Sequence, residues 1–174
     1  FQPYARDPET LARPWALPGT PGLEHRIGGL EKADGTGDVS YDPANHELMT
    51  RLRQEKITRI GAVVPPIKVH GDDSGLLVVS WGGTFGAVRS AVDQARALGL
   101  SVGHAHLRWI NPLPANLESL LWQYEDVLVP ELNMGQLANM LRGRFLVNAI
   151  SYGKIQGQPF KITEVLARIQ NICG

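Results

Sequence analysis

The glycine turn Trp81-Gly82-Gly83-Thr84-Phe85-Gly86 is the first group in this chain whose residue types and spacing could do chemistry. Glycines let a backbone approach a ligand closely, and N–H groups exposed where a helix begins favour a phosphate or a carboxylate. Arg108 and Asn111 lie on a later segment that an open α/β sheet would bring to the same rim, because ligands gather at the carboxyl ends of such strands. Gly82, Gly83, Thr84, Arg108 and Asn111 are therefore a candidate anion rim. The alternative is a tight strand-to-helix turn without a ligand. The glycines read G-G-x-x-G and no Gly-Lys-Ser/Thr follows, so neither a dinucleotide fingerprint nor a P-loop is present.

His104 and His106 stand two apart on an expected strand and so face the same side, the spacing of two metal ligands. No third ligand accompanies them, and the favoured expectation is a pair of neutral, hydrogen-bonded imidazoles under a helix. Glu131, just past a strand end, has the place of a catalytic carboxylate or of a helix cap or interface group. Ser80 and Ser151 lack the G-x-S-x-G context of an activated nucleophile. The residues assign no catalytic and no metal-binding role within this chain.

Composition narrows the classes. Lys and Arg number 17, as do Asp and Glu, so no global field draws nucleic acid or an anionic membrane surface, and neither is an expected partner. The one cysteine, Cys173, cannot form a disulfide or a cysteine-ligated cluster within the chain, which fits a reducing cytoplasm. No apolar run has the length of a membrane span, and the front lacks the order of a signal peptide. The chain begins at Phe1, and a piece of a longer polypeptide is expected.

The elements that must position these residues follow from periodicity. Leu76 to Trp81 is apolar on both faces, as a covered parallel strand requires, and Val88, Ala91, Val92, Ala95 and Leu98 form a helical stripe closed by Gly99 in a left-handed cap. Ser101 to Leu107 is a second strand, and Leu117 to Tyr124 a shorter helix. Val127 to Val129 is a third strand, with Pro130 expected to block further pairing. Asn133 and Gln136 resemble a capping box before a helix through Leu141. Asn148 to Tyr152 and Thr163 to Ile172 supply a last strand and helix. Together they predict a three-layer α/β/α domain with a mostly parallel sheet over residues 71–174.

Ahead of it, Asp42-Pro43 signals a helix start, with a helix expected from Pro43 to Lys56 and a linker up to residue 70. Six of the twelve prolines and six of the nineteen glycines precede Ala44, so residues 1–42 are expected to be an irregular arm. Its charged, glycine-rich stretch Glu24 to Gly37 is either a flexible loop or part of a strap. Tyr4, Trp15 and Tyr41 favour a strap, ordered against another polypeptide.

The motifs RDPETLARPWALPGTPGLEHRIGGLEKADGTG (Arg6 to Gly37), YDPANHELM (Tyr41 to Met49), WGGTFG, HLRWINPLPANL (His106 to Leu117), LVPELNMGQL (Leu128 to Leu137) and GQPFKITEV (Gly157 to Val165) resemble the carboxyl-terminal part of the alpha subunit of 2-oxoacid:ferredoxin oxidoreductases, the arm most closely the 2-oxoglutarate type. The second half also resembles the carboxyl-terminal domain of transketolase-like enzymes. The resemblance implies an intact enzyme that decarboxylates a 2-oxoacid on thiamine diphosphate, sends electrons through iron–sulfur clusters to ferredoxin and forms an acyl-coenzyme A. It further implies that the remainder of the alpha subunit holds the thiamine pyrimidine, while a beta subunit carries diphosphate, magnesium and a cluster. The absence of a G-D-G…N motif here agrees with that division. None of these cofactors is expected in this chain alone. The rival expectations are an independent α/β module binding a phosphorylated small molecule and a purely structural assembly domain.

Overall fold

The computed structural model describes residues 1–174, which divide into two compact units, Phe1–Val64 and Pro65–Gly174. No helix is long and apolar enough to cross a membrane.

In the first unit a single long helix, α1 (Pro43–Ile60), organises an irregular arm. The Asp42 carboxylate accepts from the Ala44 N–H at 2.7 Å, and Pro43 occupies the first helical position, where its missing N–H leaves nothing unpaired. The helix runs past the expected end at Lys56. The next breaker is Gly61, and the last turn is held by Arg59, which pairs with Glu55 and donates to the carbonyls of Pro8 and Glu9 at 2.7 and 2.8 Å.

Asn45, His46, Met49 and Arg53 line one face of α1 and bind the arm. Asn45 donates to the Lys32 carbonyl, Glu31 meets both His46 and Arg53, and Met49 is fully buried. Arg53, then His46, hold the Glu31 carboxyl below its usual range. Within the Glu24 to Gly37 stretch the buried Lys32 ammonium donates to the carbonyls of Gly28 and Leu30. Regular pairing in the arm is confined to the isolated bridges Tyr4–Gly35 and Lys32–Val39. Tyr4 is half-buried with the Arg13 guanidinium 4.3 Å above its ring, whereas Trp15 and Tyr41 stay 90% and 84% exposed.

The second unit is a five-stranded sheet between two layers of helices. Its elements are β1 (Val69–Gly71), β2 (Leu76–Trp81), α2 (Phe85–Ala97), β3 (Val102–Leu107), α3 (Leu117–Leu121), β4 (Asp126–Glu131), α4 (Gln136–Phe145), β5 (Ala149–Gly153) and α5 (Ile162–Cys173). The strand order is β1-β3-β2-β4-β5, parallel except for β1, which runs antiparallel to β3. The expected α/β/α architecture is present. Leu77 and Val79 face α3 and α4 with Leu117, Leu121 and Leu141, while Leu76 and Val78 face α2 and α5 with Val88, Val92, Val165 and Ile169. Alternation along a doubly covered strand sends apolar residues into both layers.

Helix α2 ends as its sequence requires. Gly99 lies at φ 85°, its N–H reaches the Arg96 carbonyl, and the Leu100 N–H reaches that of Ala95. Helix α5 is docked by Lys154, whose buried ammonium donates to both oxygens of Glu164 and to the Pro159 carbonyl.

Three expectations need correction. Val69–Gly71 is an edge strand, not a linker. Asp72 fixes it by accepting from the Val102 N–H and donating its own N–H to the Val102 carbonyl, while Arg96 grips its carboxylate. The helix expected from Leu117 to Tyr124 stops at Leu121, and the Tyr124 hydroxyl donates to the Asp72 carbonyl at 2.7 Å. Pro130 does not end its strand. β4 continues to Glu131, with Pro130 opposite Tyr152 and Glu131 opposite Gly153. The Glu131 carbonyl accepts from Lys154 on the β5 side, so the missing Pro130 N–H faces β2, where pairing has already stopped at Leu128.

Gly103 sits where β1, β3 and the Tyr124 hydroxyl converge. A Cβ there would lie 2.5 Å from the Asp72 carbonyl oxygen and 2.8 Å from the Tyr124 hydroxyl. Gly103→Ala is expected to lower stability by roughly 2–3 kcal/mol in urea titrations, the range of overpacked sites. Gly143→Ala, on α4 with open space around it, is expected to raise stability by about 0.5–1 kcal/mol in the same assay.

Candidate functional site

The chain leaves β2 for β3 on one side and then returns for β4 on the other, so the order reverses between β2 and β4. These strands pair only from Leu76–Asp126 to Val78–Leu128, and their carboxyl ends carry Trp81 and Glu131 beyond that ladder. The crevice is filled from within. Glu131 is fully buried, and its carboxylate accepts from the N–H groups of Leu137 at 2.8 Å and Ala138 at 3.0 Å and from the Trp81 indole at 3.4 Å. It therefore occupies the helix N-terminus where an anionic ligand would otherwise sit. The expected Asn133–Gln136 capping box is replaced by this arrangement. Asn133 closes a turn by accepting from the Gly135 and Gln136 N–H groups, Gly135 takes φ 88°, and Gln136 is the first helical residue. Of the roles open to Glu131, capping is the one its geometry performs.

Beside β3 the α2 face holds a polar network. The Ser80 hydroxyl, buried on β2, lies 2.7 Å from His104 Nε2 and 2.8 Å from His106 Nδ1. A single hydroxyl satisfies both rings when it accepts from one and donates to the other, which requires the accepting imidazole to be neutral. Burial first, then the neighbouring His106 and Arg89, pushes His104 down to about 3; burial first, then Arg108, lowers His106. The Phe85 ring packs on both, 5.8 and 4.9 Å between centroids. Each ring thus commits one nitrogen to the Ser80 hydroxyl, and burial holds both in the neutral form.

These histidines line a cleft of about 610 Å³ that runs along the sheet edge. One wall is the segment leading into β1, clamped by Asn116, whose side chain both donates to and accepts from the Ile67 backbone at 2.9 Å. Lys68, Arg89 and Arg108 bring positive charge to the cleft, and Phe85 and Trp109 bring rings that remain 46% and 40% exposed. His70 on β1 bonds Asp93 on α2 at 2.6 Å, which with Arg89 and Arg96 nearby holds that carboxyl below its usual range.

Of the anion rim read from sequence, Arg108 lines this cleft, while Gly82, Gly83, Thr84 and Asn111 do not. The Thr84 hydroxyl is committed to its own turn, donating to the Trp81 carbonyl at 2.8 Å and accepting from the Trp81 N–H. Gly82 and Gly83 are exposed, with open space around them, and Gly82 takes φ 58°. Lys68 and Arg89 went unnoticed in the sequence because they come from separate segments with no shared spacing. The donor set of this chain does not fit an iron–sulfur cluster, since its one cysteine stands exposed on α5.

The depressed histidines carry a pH signature. Unfolded imidazoles bind a proton near pH 6.5, whereas folded His104 resists it until about 3, so stability is complete above 6.5 and is lost as pH falls through that window. Urea titrations are expected to show up to about 1.4 kcal/mol lost per pH unit below 6.5, with His106 contributing in the same direction. His104→Gln should flatten the profile between pH 6.5 and 5. An unchanged slope would mean that His104 takes up its proton without unfolding.

Comparison with known proteins places this architecture. The model of pyruvate:ferredoxin oxidoreductase core domain II matches residues 75–165. The chain is 54% identical over 167 residues, 95% of its length, to the KorA subunit of a 2-oxoglutarate oxidoreductase from Mycobacterium tuberculosis, of which it covers 25%. It is 32% identical over 153 residues to the alpha subunit of 2-oxoacid:ferredoxin oxidoreductase 2 from Aeropyrum pernix, covering 84% of this chain and 24% of that protein. All of it superposes, with a TM-score of 0.86 and 30% identity, on 31% of a chain of the 2-oxoglutarate:ferredoxin oxidoreductase from Magnetococcus marinus, solved with 2-oxoglutarate, coenzyme A and succinyl-CoA bound. The chain thus spans about a quarter of the length of the curated relatives it matches. With more than half its residues under that model and its sheet and helices superposing throughout, it belongs to the pyruvate:ferredoxin oxidoreductase core domain II family.

Proposed function

We propose that this chain serves as the carboxyl-terminal portion of the alpha subunit of a 2-oxoglutarate:ferredoxin oxidoreductase, within a thiamine diphosphate- and coenzyme A-dependent oxidative decarboxylase of the cytoplasm. The observation that carries the proposal is the 54% identity to a 2-oxoglutarate oxidoreductase subunit over nearly the whole chain, arm included. Its partners are the remainder of the alpha subunit and a beta subunit, with ferredoxin as acceptor for the assembly. Residues 1–42 act as the strap, α1 as the connecting helix, and the segment from Pro65 onward, with β1 at its sheet edge, as the α/β domain. The exposed Trp15, Ile27 and Tyr41 support contact between the strap and another polypeptide. Gly82, Gly83, Thr84, Arg108 and Asn111 are retained as a rim facing an anion, with Thr84 contributing backbone only.

The division of labour assigns the reaction chemistry elsewhere. Glu131 is occupied as a cap, the histidines are bonded to Ser80, and no cysteine set is present. The isolated chain is therefore expected neither to bind thiamine diphosphate tightly nor to turn over any 2-oxoacid. Joined to the rest of its alpha subunit and a cognate beta subunit, it should support coenzyme A-dependent viologen reduction, fastest with 2-oxoglutarate among pyruvate, 2-oxoglutarate and branched 2-oxoacids. Turnover by the isolated chain would refute the division of labour. A preference for pyruvate would overturn the substrate assignment alone.

A further inference from the structure

The cleft along β1 and β3 gathers charge that the protein itself does not neutralise. Lys68 and Arg108 make no ion pair or hydrogen bond with any side chain, and Arg89 reaches only Asp93, at 3.6 Å, which His70 already engages more closely. In a chain with no net charge, a pocket facing three full cations and no unshared carboxylate is complementary to an anion. Its volume of about 610 Å³ suits an organic molecule better than a bare ion. Trp109 and Phe85 leave much of their rings uncovered on its walls, surfaces on which a flat group stacks.

The floor supplies a directional donor. His106 uses Nδ1 for Ser80, and Nε2 has no partner in the protein. When His104 donates Nε2–H to Ser80 and Ser80 donates its hydroxyl to His106 Nδ1, the His106 proton resides on Nε2. A bound anion selects this arrangement, so the buried Ser80–His104 pair sets the polarity of the donor.

We propose that this cleft binds a small organic anion, its phosphate or carboxylate group held by Arg108, Lys68, Arg89 and His106 and its flat body lying against Trp109 and Phe85. The site is independent of the 2-oxoacid reaction proposed above and of the glycine turn, and of the rim residues it shares only Arg108.

The test is calorimetric titration of the full 174-residue chain at low salt with phenyl phosphate, benzoate, inorganic phosphate and phenol, together with NMR of the histidine ring nitrogens. Phenyl phosphate or benzoate should bind, the tighter of the two assigning the head group, and should shift the His106 Nε2 signal. Inorganic phosphate should bind about tenfold more weakly and phenol not measurably. Arg108→Gln and Arg89→Gln, both at exposed or half-exposed positions, should each weaken binding about tenfold while leaving the urea midpoint in place. Gly83→Val should bind as the parent does. Absence of binding by both aryl anions, wild-type affinity in Arg108→Gln and Arg89→Gln, or loss of binding in Gly83→Val would each overturn the proposal. The activity of the assembled oxidoreductase does not enter the outcome.

Discussion

The fold turns on one buried carboxylate. Glu131 stands where the strand order reverses, and its two oxygens are shared between the first N–H groups of α4 and the indole of β2's last residue. An unmet carboxylate in that position would carry a desolvation penalty of several kcal/mol. Charge-assisted bonds and the partial positive charge of the helix end offset it. The same contact ties β4 to α4 and to Trp81 across strands whose own ladder stops at Val78 and Leu128. The carboxyl half of the sheet is thus joined by side chains where backbone pairing has ended, and Pro130 is tolerated because its missing donor faces that gap.

Much of this was legible in the sequence, for physical reasons that differ by element. Strands covered on both faces must be apolar throughout, so Leu76–Trp81 and Val102–Leu107 announce themselves. The Gly99 cap and the α5 stripe follow from local rules that hold wherever the helix lies. β1 was not legible. Three residues of mixed polarity become a strand only because Asp72 and Gly103 meet across the chain. The capping of α4 was misplaced for the same reason: Asn133 has the local pattern, but the cap comes from Glu131, whose six-residue reach to Leu137 depends on the turn at Gly135.

The candidate site divides along the same line. That His104 and His106 share a face is a matter of period two, readable from spacing, and their neutrality follows from burial. Their partner, Ser80, is 24 and 26 residues away and is specified only by the parallel register that sets Ser80 opposite His106. Lys68, Arg89 and Arg108 come from an edge segment, a helix and a post-strand loop. Global charge balance conceals their local concentration, because net charge is a sum and a pocket samples a few terms of it.

A relation between the two regions follows. In open α/β sheets the reversal point is the usual ligand crevice. Here an internal carboxylate occupies it, and the adjoining glycine turn spends its one side-chain hydroxyl on its own backbone. Polar donors without protein partners collect instead at the opposite edge of β3, where β1 runs antiparallel and adds a wall that a purely parallel sheet would lack. The edge strand thus closes the hydrogen-bonding edge of β3 and shapes the one concavity in which His106 and Arg108 meet. Gly103 makes this possible: with no Cβ it lets Asp72 and Tyr124 close over β3 and hold β1 in register.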